Sequence, residues 1–521
     1  MRKTVGIIDF INVCYKYPRS KKIALNGVSL SINEGEFLAV MGKNLSGKST
    51  FCALINGIIP HSAGGSLKGS VITDGLRTSE CTVPQLAQKV GMVLDDPDAQ
   101  LFTSSVYHEA AFGPENLLLP DIEVKKRVKA ALHAVGLNGF EERKPSTLSG
   151  GEKQRLSIAA ALAMESRILV LDDPLCRLDP RGAEDVMSVL SDLKTRHGIT
   201  IVMACGESEM AVKYADRVLI LNNGSIAALD TARKVLADNI LLESNGIQPV
   251  TVIDHFPAEE YSNQLLSDTQ RRLNIQEHES LFLSVQTPSP AVNKKEAVRI
   301  NNFGYSYPNG ASINNINLTI YENDFAAIIG RNGCGKSTLL KCVTGLLHPY
   351  KGDIFIRCKN VSKLSIAEIS KDAGFVMQNP DTQLFTESVF SEAAFALKNM
   401  RLTKPEIKKR VDDALKKTGL ESYADEYPHS LCRADRVKTI IACILSMSAP
   451  EIPGIIILDE ADAGNDYPGN REIMNIARDL HLAGFTIIFV THNMFLANHY
   501  AHRLIKMERD GIISDYKLLK E

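Results

Sequence analysis

Short, uninterrupted apolar runs recur along the chain, and each one ends at a glycine-rich or an acidic segment. Phe37–Val40 and Phe325–Ile329 precede glycine-rich octamers, whereas Ile168–Leu171 and Ile455–Leu458 precede pairs of carboxylates. Continuous apolar runs of this length are typical of strands that are buried on both faces of a largely parallel sheet. The runs therefore predict the central strands of such a sheet.

Helical stretches lie between these apolar runs. Val124 to Leu137 and Glu406 to Leu420 read as helices, and Met1 to Phe10 reads as a first strand. Alternating strands and helices predict an α/β fold with a mixed, largely parallel sheet.

The whole pattern occurs twice, in the same order and with similar spacing. The matched pairs are Tyr15–Pro18 with Tyr305–Pro308, Val90–Phe102 with Ala373–Phe385, Ile168–Asp173 with Ile455–Glu460, and Gly198–Gly206 with Gly484–His492. A repeat of this length indicates two copies of one domain. We predict the first domain over residues 1–240 and the second over residues 297–521.

Residues 241–296 belong to neither copy. They are mostly polar and are interrupted by four prolines. This composition is typical of a linker, in which we predict one short helix around Ala258 to Leu273.

Composition narrows the function classes. The 521 residues hold 59 Lys and Arg against 61 Asp and Glu, a net charge of −2, so no bulk positive field would attract nucleic acid. No apolar run approaches the roughly 20 residues of a membrane helix, and work at a membrane would therefore need partner subunits. The ten cysteines form no C-x-x-C pair, which favours reduced thiols in the cytoplasm.

The two glycine-rich octamers are phosphate-binding loops. Gly42–Ser49 and Gly330–Ser337 both satisfy G-x-x-x-x-G-K-[ST], and each follows an apolar strand and precedes a helical stretch. In such loops backbone N–H groups surround a phosphate, the helix N-terminus adds a positive dipole, and the lysine reaches the outer phosphates. We therefore predict that the chain binds nucleoside triphosphates.

Between the phosphate loop and the acidic strand, the first half carries the segment Leu148-Ser149-Gly150-Gly151-Glu152. This segment resembles the L-S-G-G-[EQ] signature of the ABC ATPases. The order of phosphate loop, glutamine loop, signature, acidic strand and switch histidine is similar to the family over nearly the whole chain outside the linker. The resemblance implies two tandem ABC-type P-loop ATPase domains, each with a sheet core and a helical signature subdomain.

The resemblance further implies a head-to-tail pseudo-dimer within the chain, with two ATP molecules between the domains. Each ATP would lie on the phosphate loop of one domain and under the signature helix of the other. A signature turn is a helix N-terminus, which suits a γ-phosphate.

One of these sites would contain every group that the family uses. The resemblance implies that Glu460 polarises the attacking water, His492 steadies the γ-phosphate, and Gln378 senses metal and water. Mg²⁺ would be held by Ser337, Gln378 and Asp459, and Tyr307 would stack on the adenine. The implied ATP-binding residues are Tyr307, Gly330, Asn332, Gly333, Cys334, Gly335, Lys336, Ser337, Thr338 and Asp459, with Ser149, Gly150 and Gly151 from the first half.

The other site departs from the family pattern. Its implied ATP-binding residues are Tyr17, Gly42, Asn44, Leu45, Ser46, Gly47, Lys48, Ser49, Thr50, Asp95, Asp172 and Asp173, with Ser49 on Mg²⁺. Asp173 replaces the glutamate and is shorter by one methylene, about 1.5 Å. Asp95 stands where glutamine is expected, and Gly206 stands where histidine is expected.

The signature that would face this site reads Leu431-Cys432-Arg433-Ala434-Asp435 and lacks the serine and both glycines. A Cβ in place of each glycine obstructs close approach to a phosphate. We predict a degenerate site that binds Mg·ATP without turning it over. The alternative is that both sites hydrolyse ATP, with Asp173 replacing the glutamate adequately.

Two further segments point to a subfamily. The first contains Q-L-F and spans Gln100–Val106; the second contains A-F-G-P-E-N and spans Glu109–Asn116. Together with their second-half partners, Gln383–Val389 and Glu392–Phe395, they resemble the energy-coupling-factor and cobalt-type import ATPases. This resemblance implies an ATPase at the cytoplasmic face of the membrane, bound to a transmembrane coupling subunit (the T component). A separate membrane subunit (the S component) would capture a vitamin or metal ion, and the groove beside the glutamine loop would receive a helix of the T component.

Two alternatives remain at this stage. A fused ATPase of a sugar importer also has one degenerate site, but nothing predicts the Q-L-F and A-F-G-P-E-N segments in it. A soluble two-domain ABC protein acting on ribosomes would generally keep two competent sites and a basic, helical linker. The sequence does not identify the transported substrate.

Overall fold

The computed structural model describes residues 6–176, 178, 180–250, 295–307, 312–331, 333–400, 402–448, 454–508 and 511–518. Most of the predicted linker, with the helix expected around residues 258–273, lies outside the described residues, and so does Asn332 of the second phosphate loop. The chain divides into two compact units that correspond to the two halves of the sequence.

The first unit alternates strands and helices, as the apolar pattern predicts. Its strands are β1 (Ile8–Lys16), β2 (Leu25–Ile32), β3 (Phe37–Met41), β4 (Ser66–Thr73), β5 (Leu76–Arg77), β6 (Val90–Val93), β7 (Ile168–Asp172), β8 (Thr200–Ala204), β9 (Arg217–Asn222) and β10 (Ser225–Thr231). Its helices are α1 (Lys48–Ile55), α2 (Ile58–His61), α3 (Val83–Ala87), α4 (Pro97–Gln100), α5 (Val106–Asn116), α6 (Asp121–Ala134), α7 (Gly150–Ala163), α8 (Pro180–His197), α9 (Ser208–Tyr214), α10 (Ala232–Leu236) and α11 (Asn239–Ser244).

Two sheets form the scaffold of this unit. The larger has the order β10-β9-β3-β8-β7-β6, in which all neighbours are parallel except β10 and β9. The smaller is antiparallel, in the order β2-β1-β4-β5. Every side chain of β3 and β8 is buried, as expected for strands covered on both faces.

The second unit repeats the same elements. Its strands are β11 (Glu296–Ser306), β12 (Ser312–Tyr321), β13 (Phe325–Ile329), β14 (Lys351–Ile356), β15 (Lys359–Asn360), β16 (Ala373–Val376), β17 (Ile455–Asp459), β18 (Thr486–Val490), β19 (Arg503–Glu508) and β20 (Gly511–Lys517). Its helices are α12 (Lys336–Val343), α13 (Ile366–Asp372), α14 (Val389–Asn399), α15 (Lys404–Thr418), α16 (Arg433–Met447), α17 (Tyr467–Leu482) and α18 (Met494–Tyr500).

Its larger sheet has the order β16-β17-β18-β13-β19-β20, and the last pair alone among these neighbours is antiparallel. The predicted mixed, largely parallel sheet is therefore confirmed in each half. A separate apolar cluster holds α14 and α15 against α16, which forms the helical subdomain of this unit.

Several predicted bounds move by a few residues. The predicted helices 124–137 and 406–420 are present as α6 and α15, and both start and end a few residues earlier; Thr403 starts α15 with a capping box to Glu406. The first strand begins at Ile8 rather than at the N-terminus and continues to Lys16.

The predicted start of the linker falls inside a helix. Residue 241 lies within α11, and Leu242 and Ile247 are buried in the core of the first unit. Apolar side chains in a polar stretch therefore extend the packed part of this unit past residue 240.

Candidate functional site

Each phosphate loop starts at the carboxyl end of a central strand. The first loop connects β3 to α1, and the second connects β13 to α12. In each larger sheet this strand (β3 or β13) pairs with the strand before the switch position (β8 or β18), and that strand pairs in turn with the acidic strand (β7 or β17). Because carboxyl ends of parallel strands meet at one edge of a sheet, the topology gathers the predicted residues of each half there.

The first glycine of each loop is required by close packing. Gly42 and Gly330 have φ of 143° and 156°. A Cβ at either position would lie 2.3 Å from a backbone carbonyl oxygen, that of Leu221 or of Met507. No side chain fits at that distance, so the loop approaches the sheet only with glycine there.

The ammonium group of each loop lysine bonds main-chain carbonyl oxygens of its own loop. The Lys48 ammonium donates to the carbonyl oxygens of Gly42 at 2.7 Å and Lys43 at 3.1 Å. Lys336 makes the same pair of bonds, to Gly330 at 2.7 Å and Arg331 at 3.0 Å. Both ammonium groups therefore lie within the loop that the sequence predicts to hold phosphate.

The serine after each loop lysine meets the aspartate at the end of the acidic strand in both halves; Ser49, Ser337 and Asp459 are predicted to hold Mg²⁺. Ser49 Oγ donates to Asp172 Oδ1 at 3.1 Å, and Ser337 Oγ donates to Asp459 Oδ1 at 2.9 Å. These are oxygen donors, the type that Mg²⁺ prefers. Among the described residues no group of three or more His, Cys, Asp or Glu could hold a metal ion by itself.

The tyrosines of the two predicted ATP sites are also placed alike. Tyr17 and Tyr307 are each a little over one-third exposed, and their hydroxyls bond Thr50 Oγ1 at 3.1 Å and Thr338 Oγ1 at 2.6 Å. Each ring therefore stands fixed at the surface beside the first turn of the loop helix. Stacking of Tyr307 on adenine remains a prediction.

In the second half the predicted catalytic side chains form one connected network. Gln378 Nε2 donates to Glu460 Oε2 at 2.5 Å. His492 Nε2 lies 3.2 Å from Glu460 Oε1 and 3.5 Å from the Lys336 ammonium. The network joins the glutamine loop, the acidic strand, the switch histidine and the phosphate loop.

The pKa values of the two adjacent carboxyl groups at this site, Asp459 and Glu460, are shifted in opposite directions. Burial raises the pKa of Asp459 to about 6, against the hydrogen bond from Ser337, and Glu460 adds to the rise. Burial also tends to raise the pKa of Glu460, but the hydrogen bond from His492 and the attraction of His492 and Lys336 outweigh it. Glu460 is therefore ionised at neutral pH and can accept a hydrogen bond from water.

Sequence reasoning missed a second pair near this site. Thr491 Oγ1 donates to Asp462 Oδ2 at 2.6 Å, next to His492 and two residues after Glu460. Burial raises the pKa of Asp462 to about 6. The aligned first-half residues are Leu175 and Cys205, both buried, so the first half has no carboxyl–hydroxyl pair at these positions.

The first half lacks the corresponding network. Asp95 is exposed, and Gly206 offers no side chain where the second half has His492. A Cβ at Gly206 would meet nothing within 4 Å, so the histidine position is open rather than filled. Asp173 keeps the left-handed backbone of Glu460, with φ of 49° against 48°.

A carboxylate that the sequence analysis overlooked lies beside this open position. Glu207 is the N-cap of α9 but makes no cap hydrogen bond, whereas the aligned Asn493 accepts a bond from the N–H of Leu496. Glu207 Oε2 and Asp173 Oδ1 are both buried without a hydrogen-bond partner. Burial, with repulsion from Glu207, raises the pKa of Asp173 to about 8, and burial also raises the pKa of Glu207.

The two signature turns differ in their capping. Ser149 forms a capping box with Glu152: its Oγ accepts from the Glu152 N–H, and the Glu152 carboxylate accepts from the Ser149 N–H at 2.7 Å. Cys432 instead donates its thiol to Asp435 Oδ2 at 3.0 Å and does not cap α16. The second signature helix is thus retained without the serine chemistry of the first.

The two segments that point to the importer subfamily together place a phenylalanine pair on the surface of each half. Phe102 and Phe112 meet edge to face with ring centroids 4.9 Å apart, and Phe385 and Phe395 do so at 4.8 Å. Phe102 and Phe385 are 67% and 65% exposed, which is unusual for side chains of this size.

In the first half Phe102 of this pair borders a groove of about 420 Å³. The groove is lined by Asp98, Leu101, Phe102, Thr103, Ser104, Lys144, Pro145 and Ser146. These residues come from the segment after Asp95 and from the turn before the signature. The groove therefore lies between the glutamine-loop position and the helical subdomain.

Residues 25–176 and 313–463 each match the protein-family model described as ABC transporter. The chain belongs to the ABC transporter family. Its fold is that of two tandem ABC ATPase domains, and it is an ATP-binding ATPase.

Relatives of similar length share this description. The chain is 34% identical to an ABC transporter ATP-binding protein of Caldanaerobacter subterraneus subsp. tengcongensis, over 98% of this chain and 91% of the relative. It is 35% identical to one of Methanosarcina acetivorans, over 96% of this chain and 84% of the relative.

Solved structures of single ATPases are similar to one half at a time. One is cbiO1 from Clostridium perfringens, described as part of the ABC transporter complex cbiONQ, with 32% identity and a TM-score of 0.42 over 46% of this chain and 94% of that one. Another is a dimeric ATP-binding cassette with ADP and phosphate, with 28% identity and a TM-score of 0.39 over 43% of this chain and 99% of that one.

Within the described ranges, no helix is both long and apolar enough to cross a bilayer.

Proposed function

We propose that this ABC ATPase hydrolyses ATP mainly at the site built on the second phosphate loop. The observation that carries this proposal is the network of Gln378, Glu460, His492 and Lys336, which has no counterpart among the aligned residues of the first half. Following the family resemblance, Ser149, Gly150 and Gly151 of the first half complete this site from the other domain.

In this site the chain positions and neutralises the triphosphate. Lys336 and the loop N–H groups bind the outer phosphates, while Glu460 accepts a proton of the attacking water and orients it. His492 Nε2 contacts both the Glu460 carboxylate and the Lys336 ammonium of the phosphate loop. Gln378 fixes the second oxygen of Glu460.

Mg²⁺ that arrives with ATP fits this arrangement. Ser337 Oγ and Asp459 Oδ1 are 2.9 Å apart at the start of the loop helix, and Gln378, predicted as a third ligand, carries an amide oxygen that suits Mg²⁺. When bound, the ion would neutralise charge on the β- and γ-phosphates. The sparse protein donor set suits a metal that keeps water and phosphate oxygens as its other ligands.

The first-half site binds nucleotide without turning it over at a comparable rate. Lys48, Ser49 and Asp172 retain the geometry of their second-half partners. Asp173 is buried with a raised pKa, so at neutral pH it holds a proton and cannot act as a base.

The protein powers import through a membrane partner of the energy-coupling-factor type, as the Q-L-F and A-F-G-P-E-N segments imply. The exposed phenylalanine pairs supply apolar contacts, and the groove beside Phe102 supplies a concave surface, for a helix of a transmembrane T component. A substrate-binding S component would complete the transporter, and the ATPase would lie at the cytoplasmic face of the membrane.

Two matched variants test the assignment of the active site. Glu460→Gln should lower phosphate release roughly 10²–10⁴-fold, the usual effect of losing a general base, and should leave ATP binding intact. Asp173→Asn should change turnover less than twofold, because the proton that Asp173 carries already removes its charge. Near-parental turnover in Glu460→Gln, or a collapse in Asp173→Asn, would refute the assignment.

Purification from solubilised membranes of the source cells tests the partner. The full chain should copurify in fixed stoichiometry with a protein of several membrane spans. Phe102→Asp combined with Phe385→Asp should abolish this, while Ile240→Asp, at a side chain 83% exposed and distant in sequence from both pairs, should not. Cofractionation with ribosomes instead would overturn the importer proposal.

A further inference from the structure

Arg433 occupies the position that Gly150 has in the first signature. It is the first residue of α16, and its Nη2 donates to the main-chain carbonyl oxygen of Gln378 at 2.7 Å. Gly150 has no side chain with which to make such a bond. The altered signature of the second half thus gains a contact to its own glutamine loop.

The contact lies just beyond a brace that both halves share. Gln383 accepts from the Met377 N–H at 2.7 Å and donates to the Phe375 carbonyl at 2.9 Å. Gln100 makes the equivalent bonds in the first half, at 3.0 and 3.2 Å. The brace therefore reaches residue 377 and stops before Gln378.

Gln378 needs an anchor of its own because it is exposed where it follows β16. Its side chain nevertheless reaches Glu460 at 2.5 Å. The Arg433 guanidinium is a charged donor that fixes the main-chain carbonyl of Gln378. This bond limits rotation of the main chain at Gln378 and therefore limits the directions in which its side-chain amide can point.

Arg433 also packs over the loop that follows the acidic strand. A methyl group at Gly464 would lie 3.4 Å from both Cδ and Nε of Arg433. The guanidinium thus lies between the glutamine loop and the segment that leads away from Glu460. The side chain of Gln378 contacts the Glu460 carboxylate, and the segment with Gly464 starts directly after Glu460.

We propose that Arg433 is a positioning residue for ATP hydrolysis in the second half, where it holds the glutamine loop so that Gln378 orients Glu460. The proposal rests on the function proposed above, since it assumes that this site carries the turnover. The second signature has therefore exchanged its phosphate-facing glycine for a side chain that serves the site of its own domain.

Steady-state ATPase kinetics of the full chain test this role. Arg433→Ala should lower kcat about 10- to 100-fold, the usual effect of a small misplacement of a catalytic group, and leave KM within about twofold. Arg433→Lys should recover part of the loss, because an ammonium can also donate to a carbonyl. Lys408→Ala, which removes an exposed cation from α15, is the matched control and should keep the parental kcat.

A double-mutant cycle separates positioning from a merely structural effect. If Arg433 acts through Gln378, then Arg433→Ala should lower kcat no further in a Gln378→Ala background. A full additional loss in that background, or a parental kcat in Arg433→Ala, would overturn the proposal. Should Arg433→Ala lose its cooperative unfolding transition, Arg433→Met decides, because it keeps an apolar stem without a hydrogen-bond donor: a folded Arg433→Met with the parental kcat overturns the proposal.

The two proposals can fail separately. Parental turnover in Glu460→Gln would remove the assigned active site and this inference with it. Loss of turnover in Glu460→Gln together with unchanged kcat in Arg433→Ala would refute the role of Arg433 alone.

Discussion

The buried carboxyl of Asp173 should make the first unit less stable as the pH rises. Its pKa lies at about 8 in the folded protein, against 3.8 for the free side chain, because burial and repulsion from Glu207 oppose ionisation. Asp172 and Asp95 add to this repulsion, and Lys48 opposes it. Between these two values the folded state therefore binds a proton that the unfolded state has released, so the free energy of unfolding falls with rising pH.

The magnitude follows from one proton. A difference of one bound proton changes the free energy of unfolding by about 1.4 kcal/mol per pH unit. For a domain of this size that corresponds to a fall in Tm of about 3–6 °C per pH unit, since 1 kcal/mol shifts Tm by about 2–4 °C. Asp173→Asn removes the titrating group and should flatten this slope between pH 5 and 8.

Thermal unfolding of nucleotide-free protein in a chelating buffer measures the effect. The quantity of interest is the difference in Tm between parent and variant at each pH, because other titrating groups cancel in it. Glu142→Gln removes the same charge from an exposed position and should leave the slope unchanged. Parallel Tm profiles for the parent and Asp173→Asn would refute a buried, protonated Asp173.

Three further substitutions test local physics. Cys432→Ser should restore an N-cap on α16 and raise the free energy of unfolding by about 1 kcal/mol; an unchanged Tm would contradict this. Leu45→Gly should stabilise the first unit by roughly 0.5–1 kcal/mol, because Leu45 is 91% exposed at φ 62° where the second loop has Gly333; a lower Tm would show that the leucine packs usefully. Thr491→Val should cost about 1–3 kcal/mol by leaving the Asp462 carboxyl buried without its donor, and urea unfolding would reveal a smaller loss if water replaces the hydroxyl.

Sequence patterns predicted what is local in this protein. The phosphate loops, the buried strands before Asp172 and Asp459, and the helices between them depend on residues that are close in the chain. The aligned repeat then located Gln378, Glu460 and His492, since each follows a recognisable strand. The first-half departures at Asp95, Asp173 and Gly206 are visible for the same reason.

Other residues escaped because their partners are far away in sequence. In the sequence, Glu207 is an ordinary residue at the start of a helix. Only the structure shows that its carboxylate makes no cap hydrogen bond and lies close enough to Asp173 to repel it. Thr491 and Asp462 are 29 residues apart, and their bond appears only when two neighbouring strands of the sheet align their ends.

The same holds for the contact on which the further inference rests. By itself the sequence shows only that Arg433 stands where the first signature has a glycine, which predicts that this signature no longer binds phosphate. The tertiary structure brings that side chain to Gln378, 55 residues earlier, and gives it a new contact. Sequence fixes which groups a chain carries and how its strands and helices alternate, whereas burial and proximity, which set pKa values and networks, depend on how those elements pack.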